Sequence, residues 1–159
     1  MNRRAFLKTA VASSVAVGFT GTSLAAEIFY PVKIDKSLFS GINRVKDPAK
    51  KTALELSHAP VISVPSKVKA GELFELEVSV GEKLHPMGPS HWIGFIAVSI
   101  GNEPAGRFDL QPKGYLMPVV SFRLVIPKEL APDGKATIVV RQECNLHGLW
   151  EASATVTVI

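Results

Sequence analysis

One cysteine, Cys144, is all that the 159 residues provide, so the chain cannot close a disulfide on itself. A solitary thiol in an exported protein pairs with another chain, fills a core as an inert side chain, or binds a metal. Methionine is almost as scarce, with only Met1, Met87 and Met117. Repeats, heptads and low-complexity tracts are missing, which excludes solenoids, coiled coils and fibrous arrays. Missing too is any basic run interleaved with aromatic residues, so no nucleic-acid partner is expected. The uncharged stretch at residues 9–26 is diluted by Ala, Ser, Thr and Gly, which makes it weakly apolar for a membrane span.

That stretch reads better as part of a signal. It follows the basic segment Asn2-Arg3-Arg4-Ala5-Phe6-Leu7-Lys8 and ends in Ser23-Leu24-Ala25-Ala26, small residues suited to cleavage after Ala25 or Ala26. Paired arginines followed by Phe-Leu-Lys resemble a twin-arginine signal. Residues 1–26 are therefore expected to direct export, leaving a periplasmic or otherwise exported protein that meets the membrane only in transit. Twin-arginine export carries folded proteins, often with a cofactor inserted, which hints at a metal or redox centre. Removing Arg3, Arg4 and Lys8 leaves 15 basic residues against 14 acidic ones. The positive balance of the whole chain is thus no evidence of affinity for membranes or nucleic acids.

Residues 27–58 read as irregular, with a turn or two of helix possible over 49–56. From residue 59 onward the pattern is β. Residues 73–80, 119–126 and 137–141 alternate with period two, as half-buried strands do. Residues 92–100 form a longer apolar run, 108–110 a short strand, and 152–159 a closing one. Gly and Pro clusters separate them. About seven short strands spaced by turn signals predict an all-β, immunoglobulin-like β-sandwich over residues 59–159.

The chemistry lies between those strands. The chain has four histidines, His58, His85, His91 and His147, and Cys144 stands three residues before the last. Any one of them alone is ordinarily a solvated or hydrogen-bonded residue. Together they share a position: all five fall at predicted strand–loop junctions, and none falls mid-strand. His85 and His91 flank the rigid Pro86-Met87-Gly88-Pro89-Ser90, and Gly148 allows a sharp turn after His147. A structural zinc site prefers four ligands rich in thiolate. Four imidazoles and one thiolate suit a five-coordinate redox metal with an open sixth position, and iron fits.

His85-Pro86-Met87, His91-Trp92-Ile93 and Cys144-Asn145-Leu146-His147-Gly148 resemble the iron site of the superoxide reductases, the family of neelaredoxin and desulfoferrodoxin. Ser57-His58-Ala59-Pro60 resembles the segment that supplies the family's first histidine. The resemblance implies that His58, His85, His91 and His147 are equatorial ligands to one mononuclear iron, and that Cys144 is the axial thiolate. It implies one-electron reduction of superoxide to hydrogen peroxide and an external electron donor such as a rubredoxin or a cytochrome. A homo-oligomer is also implied. The four-cysteine second centre of desulfoferrodoxin is excluded by the single cysteine, so the single-iron type is expected.

Family members commonly carry Glu-Lys directly before the first ligand histidine, whereas here Leu56-Ser57 occupies those places. Ser57 supplies no positive charge. Glu55, one place earlier, and Lys83, two residues before His85, are the candidate substitutes as catalytic residues. Asn145 is a candidate partner of the thiolate or a left-handed turn residue. Trp92 and Trp150 are expected chiefly to pack the core. Two other readings compete. An exported blue-copper carrier would use two histidines, Cys144 and an axial methionine, yet no methionine follows His147. A relative that binds metal with weak activity would fit the missing lysine.

Overall fold

The computed structural model describes residues 34–159, a two-sheet β-sandwich. The expected signal at 1–26 and the start of the 27–58 segment lie outside the described residues. Nine strands occur among those described: β1 (Ile42–Asn43), β2 (Pro60–Ser63), β3 (Lys67–Val68), β4 (Leu73–Val80), β5 (Ile93–Ile100), β6 (Glu103–Asp109), β7 (Val119–Val125), β8 (Lys135–Cys144) and β9 (Gly148–Val158). The larger sheet runs β1-β9-β8-β5-β6, with β3 also paired to β9, and the smaller runs β2-β4-β7. No helix among the described residues is long and apolar enough to cross a membrane.

Period-two patterning builds the core. On β4 it turns Leu76, Val78 and Val80 inward, and on β8 it turns Ala136, Ile138 and Val140 inward; all six are buried. They meet Ile93, Ile96, Val98 and Val156 in one apolar cluster, removing these side chains from water at roughly 25 cal/mol per Å² of apolar surface. The inward row of β8 does not stop at the hydrophobic residues. It continues through Gln142 to Cys144, both fully buried, so the alternation that forms the core also delivers the thiol to its end.

Three strands exceed what the sequence predicts because their signals are weak: β1, the two-residue β3, and β6, which begins at Glu103, well before the short strand expected at 108–110. β6 is an edge strand with six exposed residues of seven, and it contains Pro104 and Gly106. β1 lies in the segment expected to be irregular and pairs in parallel with β9, Ile42 opposite Leu149 and Asn43 opposite Trp150. That same segment holds a 3-10 turn, Lys36–Phe39, and the short helix α1, Ala53–His58.

Register places the loops that matter at one end of the sandwich. In the smaller sheet Pro60 pairs with Val80, so His58 just before β2 and His85 just after β4 become neighbours. Two backbone bonds fasten them, Gly81 N–H to Ala59 O at 3.0 Å and Lys83 N–H to Leu56 O at 3.0 Å. Gly81, at φ 82°, has no room for a Cβ, which would lie 2.7 Å from Ser57 O. In the larger sheet Ile93 pairs with Cys144, and Cys144 with Gly148 across the β8–β9 hairpin. His91, Cys144 and His147 therefore share the same end of that sheet.

Candidate metal centre

The junction of these two sheet ends brings all five sequence candidates together. His58 and His85 come from the smaller sheet, His91, Cys144 and His147 from the larger. The ligand atoms of His58, His91, Cys144 and His147 lie within 4.8 Å of one another. His85 completes the group: its Nε2 is 3.2 Å from His58 Nε2 and 3.0 Å from His91 Nε2. The ring of nitrogens closes through His147 Nδ1, 3.1 Å from His91 Nε2 and 2.9 Å from His58 Nε2. Four nitrogens on edges of that length place the centre of a square about 2.2 Å from each corner, close to an ordinary metal–imidazole bond. Cys144 Sγ lies 3.1 Å from His91 Nε2 and 3.4 Å from His147 Nδ1.

Whether these residues suit a cation is decided by their lone pairs. His58 Nδ1 donates to Leu54 O at 2.9 Å, and His85 Nδ1 donates to Pro86 O at 2.6 Å. A neutral imidazole that donates from one nitrogen carries a bare lone pair on the other. Two such lone pairs, on His58 and His85 Nε2, thus face each other at 3.2 Å, an arrangement that repels unless a cation sits between them. Carbonyl acceptance behind a ligating histidine is the usual way its ring is oriented toward a metal. The residues fit a metal, and four nitrogens with one sulfur fit iron.

Electrostatics point the same way. Burial pushes His58 down to about 4 and His85 to about 3, and it lowers His91 and His147 as well. All four rings are therefore neutral near pH 7, as ligands must be. Burial raises the Cys144 thiol to about 11, so without a cation the sulfur keeps its proton. A bound metal reverses that preference, since a coordinating thiol is deprotonated. Cys144 and His85 are fully buried while His91 and His147 are half-buried, so solvent reaches the cluster over the latter two.

Surrounding groups hold the frame. Trp150 is buried, stacks on His58 with ring centroids 5.5 Å apart, and donates from Nε1 to His147 O at 2.9 Å. It is both core filler and a wall of the site. Asn145 does neither of the things expected of it. Its φ is not positive, and its side chain accepts from Trp92 N at 2.9 Å and donates to Ser90 O at 2.9 Å, tying the Cys144–His147 turn to the loop of His91. Gln142 escapes sequence reasoning. Fully buried, it donates to His58 O at 2.7 Å, while its Oε1 has no partner among the described residues. Its only signal is a polar residue in the inward row two places before Cys144.

Glu55, a candidate catalytic substitute, is engaged at the start of its own helix. Its carboxylate accepts from Thr52 N at 2.7 Å, Thr52 Oγ1 at 2.9 Å and Lys46 N at 2.9 Å, closing a capping box at the start of α1. The Thr52 and Lys46 amides hold its carboxyl below the usual range. Glu55 and His58 thus serve opposite ends of one short helix. Ser57 turns its hydroxyl back to Ala53 O and Leu54 O, at 3.0 and 3.2 Å. Lys83 is exposed, and its fixed contact is the backbone bond to Leu56. The blue-copper alternative leaves two of four gathered imidazoles unused. Met87 Sδ, moreover, accepts from Ile93 N at 3.3 Å inside the core.

Comparison with known proteins agrees with this geometry. The family model described as desulfoferrodoxin matches residues 48–153. A curated protein of Methanocaldococcus jannaschii, named provisionally as a superoxide reductase, is 33% identical over 113 residues, which cover 71% of this chain and 90% of that one. The superoxide reductase of Thermococcus kodakarensis is 33% identical over 62% of this chain and 85% of its own. Among solved structures, the superoxide reductase (neelaredoxin) of Ignicoccus hospitalis superposes with a TM-score of 0.62 at 33% identity, over 80% of this chain and 100% of that one. A match of this extent, with the four imidazoles and the thiol gathered at one end of the sandwich, means that the chain belongs to the desulfoferrodoxin family.

Proposed function

We propose that this protein is a superoxide reductase, taking one superoxide, one electron and two protons to one hydrogen peroxide at a single iron. The observation that carries the reading is the ring of four imidazole nitrogens, two with lone pairs that face each other, beside a buried thiol. Iron held by His58, His85, His91, His147 and Cys144 supplies the one-electron chemistry. The chain's own residues keep the four rings neutral, aim them, and hold the sulfur on the side closed to water. Protons reach the site over the half-buried His91 and His147 edge, because no carboxylate or ammonium stands at the usual place before His58.

The electron comes from an external donor, a rubredoxin-like or cytochrome-like carrier, since the chain has no second redox centre of four cysteines. The paired arginines and the small residues at 23–26 support work outside the cytoplasm after twin-arginine export. Family membership supports a homo-oligomer. Metal quantification on the mature protein, combined with a superoxide assay run with and without reductant, tests the whole reading. The expected outcome is one iron per chain and peroxide formation that depends on reductant, without oxygen evolution. Stoichiometric copper, or oxygen released in a dismutation, would overturn it.

A further inference from the structure

His147 differs from its three companions because it turns Nδ1, the ring nitrogen nearer the backbone, into the ring of nitrogens. With so short a lever, the position of that nitrogen follows the position of the main chain at the β8–β9 turn. Two donors converge on the His147 carbonyl. One is Trp150 Nε1 at 2.9 Å. The other is the side-chain amide of Asn43, at 3.4 Å, which also donates to Leu149 O at 2.9 Å and to Leu38 O at 2.8 Å.

Asn43 thus joins three carbonyls that belong to different segments. Leu38 lies within the 3-10 turn, and its carbonyl closes over Gly148 so tightly that a Cβ there would stand 2.2 Å from it. β1 itself is only two residues long and is fastened to β9 at Leu149 and Trp150, directly after the ligand turn. Asp35 caps the same turn, accepting from Ser37 N at 3.0 Å. Residues 35–43 therefore form a strap across the outer face of the turn that carries His147. The strap lies before the span 48–153 that matches the family model.

We propose that Asn43 is a positioning residue for the metal ligand His147, its amide fixing the His147–Leu149 main chain so that Nδ1 stays in the four-nitrogen ring. The inference rests on the metal-site reading above. Removing the amide leaves the fold's core intact but lets the turn shift, so the metal is held less tightly and the sulfur and nitrogens bind it in altered geometry. Support residues behind metal ligands ordinarily contribute about 10- to 100-fold in affinity, and one acting through the backbone belongs near the lower figure.

The test uses the mature chain as wild type, Asn43→Ala and Asn43→Asp, the latter nearly isosteric but without donor hydrogens. Ile42→Ala, on the same strand and without a side-chain hydrogen bond to the turn, is the control. Ferrous iron is titrated anaerobically against a competing chelator, and the thiolate-to-iron absorption band is recorded after oxidation. Both Asn43 variants should bind iron about tenfold more weakly, with a shifted band, while Ile42→Ala keeps wild-type affinity and spectrum. Asn43→Ser, which retains one donor, should fall between, and it serves should the other variants not fold. Wild-type affinity and an unshifted band in the Asn43 variants would overturn the inference alone. A wild-type protein that binds no iron would instead sink the site reading on which it depends.

Discussion

His58 and His85 each give one ring nitrogen to a backbone carbonyl, and what remains is a pair of lone pairs aimed at each other. Burial sets their charge: in the metal-free fold they take up protons at about 4 and about 3 instead of at the ordinary 6.5. An unfolded chain binds those protons as the pH falls through 6.5, whereas the folded one does not. Folding is therefore undisturbed by these groups above pH 6.5 and is progressively disfavoured below it, until the folded values are reached. Melting temperatures of the metal-free protein, taken at fixed ionic strength, should decline between pH 6.5 and about 4. A flat profile over that window would mean the rings charge freely and are not buried as described. Cys144 gives a sharper test. Cys144→Ala should abolish both the thiolate-to-iron absorption band and superoxide consumption, while the buried methyl-sized replacement leaves the sandwich folded. Surviving activity would contradict the ligand set.

At the scale of single elements, α1 and the β8–β9 hairpin each carry a ligand at one end and a fastening at the other. Thr52→Ala removes the cap of α1 and should cost about 1 kcal/mol, read as a lower melting temperature. Glu55→Gln should also destabilise, yet leave the spectrum of the oxidised iron protein unchanged, because the carboxylate faces Thr52 and Lys46. A spectral change would restore Glu55 as a metal ligand. In the hairpin, Gly148 stands at φ 71° under the Leu38 carbonyl. Gly148→Ala should therefore cost at least about 1–2 kcal/mol from backbone strain alone, with the contact to Leu38 in addition, as denaturant midpoints would show. These elements also mark the limit of what the sequence makes legible. Alternation announces β4 and β7, and the ligand candidates stand out by residue type and by their place at strand ends. The last turn of the inward row on β8 is hidden because Gln142 is polar. The first part of β6, before residue 108, is hidden because an exposed edge needs no apolar face. Glu55 draws notice because it stands three residues before His58, while its neighbours in space are the cap of its own helix and the Lys46 amide. Asn43 gives no local signal at all, since its partners lie as far off as residue 149.

Across the whole molecule, two sheets that share one core meet at the metal centre, two ligands from one and three from the other, so the site depends on the packing of the sandwich as a unit. Charge, by contrast, is spread without a focus. Beyond residue 26 there are 15 basic and 14 acidic side chains, and Lys51, Lys69, Arg44, Arg107 and Arg141 are each paired with a carboxylate. Ser57 contributes no charge where relatives commonly place a lysine, and its hydroxyl is occupied on its own helix. Lys83 is an exposed side chain whose firm contact is through its backbone. Steering of an anion requires a concentrated positive potential, and its signature is a rate that falls steeply with salt over a range where the Debye length shrinks from about 30 to about 10 Å. With Ser57 uncharged where a lysine would stand before His58, the second-order rate for superoxide should change less than about threefold between 0.01 and 0.1 M ionic strength. Lys83→Ala should leave both the rate and its salt dependence as they are. Pulse-generated superoxide followed at several salt concentrations measures both. A steep decline in the wild type that flattens in Lys83→Ala would make that lysine the missing charge, and would return to this chain the means of drawing in superoxide that Leu56-Ser57 does not supply.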